Sequence, residues 1–427
     1  MITRAIPTSI LSLTLVSGLP AAAAALPSAA QLETAAQAVN RLGCELLLQG
    51  TEPTRNALLS PYSIQTALAM TFAGAAGDTR TEMARVLHYA GDETQLHASF
   101  AALQRAFEDL AARTAKQAAS ARERGNAVDP VTLTIANRLF GQADHEFRPP
   151  FLNLVKEVYG APLQPLDFVN DAAAAIRAIN LWVEERTRDR IRELIPPGAL
   201  DEETRLVLVN ALYLKAPWAH PFSASATQPR PFHVAGGPLQ TVPTMFQQAR
   251  FGYARHDGFS AIALPYLGSE LQFVVFLPDH PEGLPALETG LTAEMLAACA
   301  QLNTTELQLY LPKLKLQPPS IRLGQVLKTL GLKQAFDSPR GSANFDRMAP
   351  RKPDDYLRIS EVFHKTFLEL DEQGTEAAAA TAVAIARATA VLPGKPIEVR
   401  VDRPFLFAIQ HRSSGACLFL GRIVDPR

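Results

Sequence analysis

The residue patterns that would carry enzyme chemistry do not occur in this sequence. It has no Gly-x-Ser-x-Gly turn for an activated serine, no glycine loop that could cradle phosphates and no paired-carboxylate motif. The dipeptide His145-Glu146 begins like a zinc-binding His-Glu-x-x-His helix but lacks the second histidine. We therefore expect a protein that is not an enzyme and that needs no metal or cofactor.

Cysteine usage is sparse and gives no sign of a metal site or a disulfide framework. Cys44, Cys299 and Cys417 form an odd set with no C-x-x-C pair and no cluster with histidine. Cys44 lies on an apolar helical face and Cys417 in an apolar run. The sequence therefore predicts buried free thiols.

Charge and composition exclude some classes of partner. The formal net charge of the 427 residues is −1, so there is no electrostatic case for binding nucleic acid or a membrane surface. Nucleic acid and membranes are therefore not the expected partners. A hydrophobic content of 47% is enough for a large core.

The first residues are typical of a secretory signal peptide. Arg4 precedes an apolar stretch at residues 10–16, and residues 21–25 are all alanine, which suits cleavage by a signal peptidase. The stretch is too short, and too interrupted by Pro20, to span a bilayer. We expect residues 1–25 to be removed and the protein to be secreted or periplasmic, and the few cysteines suit a bacterial origin.

The segment from Glu372 to Thr381 has no fixed conformational preference of its own. Gly374 is a permissive pivot, and Thr375 can enter a sheet. Glu376 is followed by the small side chains of Ala377, Ala378, Ala379 and Ala380, which a sheet could accept but which favour strands poorly. The rest of the molecule must therefore decide whether this segment is a loop or a strand.

The segment resembles the reactive-loop hinge of the serpin family of protease inhibitors, and other motifs in the same order support that resemblance. These are Asn-x-x-x-Ser-Pro-x-Ser-Ile at 56–64, Leu-Val-Asn-Ala-Leu-Tyr-Leu-Lys-Ala-Pro-Trp at 208–218, Leu-Pro-Lys at 311–313, Val-Phe-His-Lys at 362–365, Asp-Arg-Pro-Phe at 402–405 and Phe-Leu-Gly-Arg-Ile-Val-Asp-Pro at 419–426. The resemblance covers nearly everything after about residue 31. It implies one serpin domain over residues 31–427, with a reactive loop at about 372–398.

Hydrophobic periodicity places helices and strands along the chain without a regular βαβ rhythm, which favours an α+β fold. Helical spacing recurs at 32–46, 83–87 and 176–183, and strand patterns occur at 132–140, 205–214, 261–265, 271–277, 306–311, 405–408 and 417–421. The resemblance implies three β-sheets, about eight or nine helices and an exposed reactive-centre loop. Residues 113–129, where basic and acidic side chains alternate with alanines, are predicted to be a solvated connector.

The resemblance also implies a mechanism. A serine protease or a cysteine protease cleaves the loop of the monomeric protein as a suicide substrate, and the hinge side then inserts into the central sheet with the acyl-enzyme attached. Family spacing puts the scissile bond between Ala388 and Thr389, which suits an elastase-like or subtilisin-like protease. A hinge that is one residue shorter would put it between Arg387 and Ala388, which suits a trypsin-like protease.

Two groups of remote residues are expected to control when the sheet opens. Ser60, Ser63, Asn210 and His364 match the polar cluster beneath the central strands, called the shutter in this family. Trp218, Lys313 and Glu372 match the breach, where insertion begins, and we expect an ion pair between Lys313 and Glu372. The alternative function is a non-inhibitory serpin, a binding or chaperone-like protein that is merely cleaved.

Overall fold

The computed structural model of the protein describes residues 29–126, 128–353, 355–376 and 395–427. Its α-helices are α1 (Ala29–Gly50), α2 (Pro61–Gly74), α3 (Gly77–Val86), α4 (Glu93–Glu123), α5 (Pro149–Tyr159), α6 (Phe168–Arg186), α7 (Leu284–Gly290), α8 (Ala293–Ala298) and α9 (Gly324–Thr329). The earlier strands are β1 (Ala57–Leu59), β2 (Thr132–Gln142), β3 (Gln164–Leu166), β4 (Leu206–Pro217), β5 (Gln228–His233), β6 (Leu239–Arg255), β7 (Phe259–Pro265), β8 (Leu271–Pro278) and β9 (Thr304–Pro312). The later strands are β10 (Leu314–Leu316), β11 (Ile321–Arg322), β12 (Glu361–Thr366), β13 (Leu368–Leu370), β14 (Gly374–Thr375), β15 (Ile397–Arg400), β16 (Phe405–His411) and β17 (Cys417–Ile423).

The central sheet is built around strand β4. One edge of β4 pairs antiparallel with β2, and the other edge pairs parallel with β12 from Val207 to Leu212 and antiparallel with β14 at its end. Strands β10, β13, β11 and β3 complete this network. The sheet is therefore mixed, as an α+β fold predicts.

Both faces of the central sheet are buried, which explains the continuous apolar run of β4. Leu208 and Leu212 face the main core, whereas Val207, Val209 and Ala211 face a second cluster that includes residues of α6. Because successive side chains of a strand point to opposite faces, one strand can serve both clusters. Helix α6 thus covers one face of the sheet, and α2, which is buried along its whole length, lies on the core side.

The remaining strands form a second hydrogen-bonded network in the order β1-β17-β16-β8-β7-β6-β9-β15, with β5 paired to β6. The predicted α+β fold class is confirmed, and each strand predicted from the sequence coincides with an observed strand to within a few residues. This network joins two of the three sheets that the resemblance implies. The reason is that β6 is 17 residues long and pairs with β5, β7 and β9.

The prediction of a solvated connector at 113–129 is wrong for its first part. Helix α4 continues to Glu123, with Thr114 and Ala118 buried, and Arg113 donates a hydrogen bond of 2.6 Å to Glu270. Alanine has the highest helix propensity, and the alanine-rich segment extends the helix despite its mixed charges. Only the residues after Glu123 connect this helix to β2.

Two further predictions concern thiols and membrane spans. The three cysteines are free; Cys299 and Cys417 are buried as predicted, whereas Cys44 is only partly buried. Burial raises the pKa of both Cys44 and Cys299 to about 12. Within the described residues, none of the helices combines the length and the apolar character that crossing a membrane requires.

Candidate functional site

The hinge is the point where the chain leaves β13, turns, and re-enters the central sheet as β14. The turn is closed by Asp371, whose backbone N–H donates to the carbonyl of Gly374 and whose carboxylate accepts from the Gln373 N–H at 2.8 Å. Strand β14 then pairs with the end of β4 on one side, Thr375 opposite Ala216, and with Leu370 of β13 on the other. The start of the hinge therefore already lies between two strands of the sheet.

Gly374 is the residue that permits this entry. Its φ is +146°, in a region that side-chain-bearing residues rarely adopt. A Cβ at this position would lie 2.2 Å from the carbonyl oxygen of Ala216. The approach of the two backbones thus requires glycine for both conformational and steric reasons.

Thr375 points into the core at the top of the sheet. It is 1% exposed, and its hydroxyl lies 2.5 Å from the phenolic oxygen of Tyr266. The Tyr266 ring stacks on Trp218, with centroids 4.6 Å apart and planes 2° apart, and burial raises the pKa of this tyrosine. Sequence reasoning missed Tyr266, because nothing near it in the sequence marks it as a partner of the hinge.

The three predicted breach residues lie together. The Trp218 indole N–H donates to the Asp371 carbonyl at 2.9 Å, and the Lys313 ammonium lies 2.8 Å from the Glu372 carboxylate. The structure thus contains the expected ion pair. The hydroxyl of Thr227 donates to the other oxygen of this carboxylate at 2.7 Å. Burial alone would raise the pKa of Glu372, but the hydrogen bonds from Lys313 and Thr227 outweigh it and lower the pKa.

Glu376 follows β14 directly, and its side chain is only 10% exposed. Its carboxylate is hydrogen-bonded to the guanidinium of Arg190 in the loop after α6. Burial raises the pKa of Glu376, and Arg190 partly offsets that effect. The sequence offered no signal for Arg190, which is one of several arginines in that loop.

The four predicted shutter residues also form one buried cluster. His364 lies opposite Asn210 in the β12–β4 ladder, and its Nδ1 is hydrogen-bonded to the Asn210 side-chain oxygen. The Ser60 N–H donates to His364 Nε2 at 3.0 Å, and the Ser60 hydroxyl caps α2 by accepting from the Ser63 N–H at 3.3 Å. A fifth member, Asn137 of β2, accepts a hydrogen bond of 2.7 Å from the Ser63 hydroxyl.

Asn137 was missed by sequence reasoning, although one signal existed: it shares a strand face with the apolar residues Leu133, Ile135 and Leu139. Its register opposite Asn210 places one asparagine on each of two neighbouring strands. The cluster therefore links α2, β2, β4 and β12, which are the elements that must shift if β4 and β12 separate.

The electrostatic state of the shutter follows from its hydrogen bonds. Nε2 of His364 accepts from a backbone N–H, so the proton of the neutral ring sits on Nδ1 and is donated to Asn210. Complete burial lowers the pKa of His364 to about 3. The imidazole is thus neutral at physiological pH and satisfied at both nitrogens.

Comparison with known proteins identifies the family. The sequence model described as serpin (serine protease inhibitor) matches residues 37–426. The chain belongs to the serpin family. The family is described as one of serine protease inhibitors, and the prediction that this chain is not an enzyme is confirmed by its membership.

Individual serpins are similar over nearly the whole chain. The bovine leukocyte elastase inhibitor is 37% identical over 406 residues, covering 92% of this chain and 100% of the relative. Human Serpin B9 is 35% identical, with the same coverage of both chains. Among solved structures, the native thermophilic serpin Tengpin has a TM-score of 0.78 at 25% identity, and uncleaved ovalbumin has 0.75 at 28%. The match to Tengpin covers 94% of this chain and 95% of the Tengpin chain. The match to ovalbumin covers 92% of this chain and 100% of the ovalbumin chain.

Part of the predicted serpin site lies outside the described residues. This holds for Ala377, Ala378, Ala379 and Ala380 of the hinge, for both candidate scissile bonds, Ala388-Thr389 and Arg387-Ala388, and for the signal peptide at 1–25. The parts that are described, the start of the hinge, the breach and the shutter, form a continuous path along β4. Among the described residues, no group of three His, Cys, Asp or Glu side chains is placed to hold a metal ion.

Proposed function

We propose that this serpin inhibits serine proteases as a suicide substrate, by cleavage of its loop, covalent trapping of the acyl-enzyme and insertion of the cleaved loop into the central sheet. The observation that carries the proposal is the register of β14. Gly374 and Thr375 already pair with Pro217 and Ala216 at the end of β4. The hinge therefore occupies the first position of a new strand, and insertion would extend it by turning Glu376 from its left-handed φ of +47° into the strand conformation.

Extending this register down β4 predicts where each later residue would pair. Ala377 would lie opposite Leu214, Thr381 opposite Asn210 and Ile385 opposite Leu206, the first residue of β4. Every second residue from Thr375 would then face the main core, and the first three of these after it, at 377, 379 and 381, have small side chains. A bulky or charged residue would have to be buried during insertion, so small side chains favour a fast process.

The energetic gain comes from hydrogen bonds that the present sheet lacks. An inserted strand would form two ladders and break the one between β4 and β12, a net gain of about one ladder. Roughly ten backbone hydrogen bonds at about 0.5–1.5 kcal/mol each would stabilise the inserted state by on the order of 10 kcal/mol. The 13 or so residues from Thr375 to Ala388, at ~3.3 Å each, would carry a bound protease about 43 Å.

The scissile bond and the target are inferred from spacing. We infer cleavage between Ala388 and Thr389, with the Arg387-Ala388 bond as the alternative. A small alanine suits an elastase-like or subtilisin-like pocket, and several similar serpins are named leukocyte elastase inhibitors. An elastase-like protease is therefore the first target to test.

The decisive experiment incubates the protein separately with elastase, subtilisin and trypsin and looks for a detergent-resistant covalent adduct. The variant Ala377→Arg would place a charge on the buried face, so we expect it to be cleaved without trapping. Ala377→Ser, which keeps a small side chain at the same position, is the matched control and should still form the adduct. If the unsubstituted protein yields only cleaved product across a broad protease panel, it is a non-inhibitory serpin instead.

Mass spectrometry of the released C-terminal fragment distinguishes the two scissile bonds. A fragment that begins at Thr389 supports an elastase-like or subtilisin-like target. A fragment that begins at Ala388 supports cleavage after Arg387 and a trypsin-like target.

We also propose that the protein is an exported, bacterial-type serpin. The support is the predicted signal peptide at residues 1–25 and the small number of cysteines. Expression with the full N-terminus in a bacterium, followed by fractionation and N-terminal sequencing, tests this. A mature N-terminus after the alanine run, in the periplasm or medium, is expected; an intact Met1 in the cytosol would contradict it.

A further inference from the structure

The strands of the central sheet are splayed directly below the hinge. On the side of β4 away from β2, the described residues give partners to Leu212, through β12, and to Ala216, through β14, but none to residues 213–215 between them. A cavity of about 400 Å³ occupies this gap, lined by Arg188, Tyr213, Lys215, Glu369 and the two members of the Arg190–Glu376 ion pair. The proposed path of insertion thus begins at this cavity, and the Arg190–Glu376 ion pair lies at its entrance.

The backbone on both sides of the ion pair adopts disfavoured conformations. Arg188 and Asp189 have φ values of +52° and +60°, and Glu376 has +47°. Left-handed φ is costly for residues other than glycine, and it persists only where the surrounding contacts demand it. Here the two consecutive residues redirect the chain after α6 so that Arg190, which also lies over the Phe367 ring at 5.4 Å, reaches the hinge.

The contacts of the hinge therefore hold it from two faces. On the core face, Tyr266 is hydrogen-bonded to Thr375. On the opposite face, Arg190 binds the carboxylate of Glu376, whose backbone N–H also donates to the Glu369 carbonyl at 2.8 Å. Neither Arg190 nor Tyr266 belongs to the breach or the shutter as the motifs define them.

We propose that Arg190 and Tyr266 are positioning residues that keep the hinge inserted at Thr375 before any protease arrives, and thereby set the balance between trapping and simple cleavage. This inference rests on the proposed inhibitory function. Insertion must compete with hydrolysis of the acyl-enzyme. A hinge that is already paired with β4 has fewer new pairs to form, so its insertion should be faster relative to hydrolysis. Releasing it should shift the outcome toward cleaved, untrapped inhibitor.

The first test needs no protease and uses Trp218 as a reporter. The chain has two tryptophans, so Trp182→Phe leaves Trp218 as the only one. Trp218 is 2% exposed, and its N–H groups bond to the hinge turn at Asp371 and Gln373. In this background, Arg190→Ala should red-shift the Trp218 emission and increase its quenching by acrylamide.

The matched control is Arg188→Ala, which removes the same charge from the same cavity. Arg188 lies over the Tyr213 ring at 5.6 Å rather than on the hinge, so its variant should leave Trp218 unchanged. Glu376→Gln should behave like Arg190→Ala. Loss of a partly exposed charge-assisted hydrogen bond is expected to shift the hinge equilibrium about tenfold, and the exchanged pair Arg190→Glu with Glu376→Arg should restore most of it.

The second test measures the ratio of cleaved inhibitor to covalent adduct with the protease that forms one. Arg190→Ala and Tyr266→Phe should raise this ratio several-fold, whereas Arg188→Ala should not. The proposal is overturned if Arg190→Ala and Arg188→Ala give the same Trp218 quenching and the same ratio as the parent protein. If the parent protein forms no adduct at all, the inhibitory function fails, and Trp218 quenching still decides whether Arg190 holds the hinge.

Discussion

Mild acid should destabilise the native protein through a single buried histidine. The neutral ring of His364 accepts from the Ser60 N–H, so a second ring proton would point at a donor instead of an acceptor. Its pKa is about 3 in the native state against about 6.5 when unfolded, so below pH 6.5 the unfolded chain binds the proton and the native chain does not. Stability therefore falls as the pH drops from 6.5 toward 3. At pH 5 the loss is roughly 2 kcal/mol, since each pKa unit is worth about 1.4 kcal/mol.

The measurement is the urea midpoint for loss of the native state, followed by tryptophan fluorescence at pH 7.5 and pH 5. The variant His364→Asn is less stable at both pH values but lacks the titrating ring, so the gap between it and the parent should shrink by roughly 2 kcal/mol at pH 5. Other groups that titrate are shared and cancel in this comparison. The variant His233→Asn, at an exposed histidine, serves as the control. The difference in stability between this variant and the parent should be the same at both pH values. A constant gap between the His364 variant and the parent would refute the reasoning.

Three further substitutions test the breach, the hinge and the core. Lys313→Ala should lower the urea midpoint by the equivalent of roughly 1 kcal/mol, because the lysine is partly exposed and its carboxylate partner is mostly buried; the more exposed Lys315→Ala should have little effect. Gly374→Ala should prevent β14 from pairing, because the added Cβ would meet the Ala216 carbonyl oxygen; hydrogen exchange at the end of β4 should then accelerate, and unchanged protection would contradict this. Arg422 and Glu288 form a buried ion pair, so Arg422→Met should cost about 3–5 kcal/mol of stability in the same urea assay, because it leaves the Glu288 carboxylate without its partner.

The parts of the site that could be predicted from the sequence are those whose motif places them on one strand or at one helix end. Ser60 is the N-cap of α2 and Pro61 its first residue, a local pattern that fixes both the helix start and the position of the cap. Likewise, Asn210 and His364 stand in apolar strand patterns, where a polar side chain must find a buried partner. The resemblance assigned these residues to one cluster, and the local rules explain why each of them suits its position.

The contacts that could not be predicted depend on distant segments that only the fold brings together. Tyr266 meets Thr375 across 109 positions, and Arg190 meets Glu376 across 186. Neither residue is unusual in its own segment, so no periodicity or cap singles it out. The extension of α4 was mispredicted for a different reason: scattered charges indicated a solvated connector, and the helix propensity of alanine was the stronger effect.

The register of the hinge connects its small side chains with the polar cluster far below it. If β14 extends as proposed, Thr381 arrives opposite Asn210, the position where His364 now pairs. An opening sheet would leave the Asn210 side chain without the histidine, and an unsatisfied buried amide costs about 1–3 kcal/mol. A threonine hydroxyl can both donate and accept, so it can replace the ring as the partner of Asn210. Asn210 would therefore have a hydrogen-bond partner both before and after insertion, which is a physical reason for a small hydroxyl side chain at position 381.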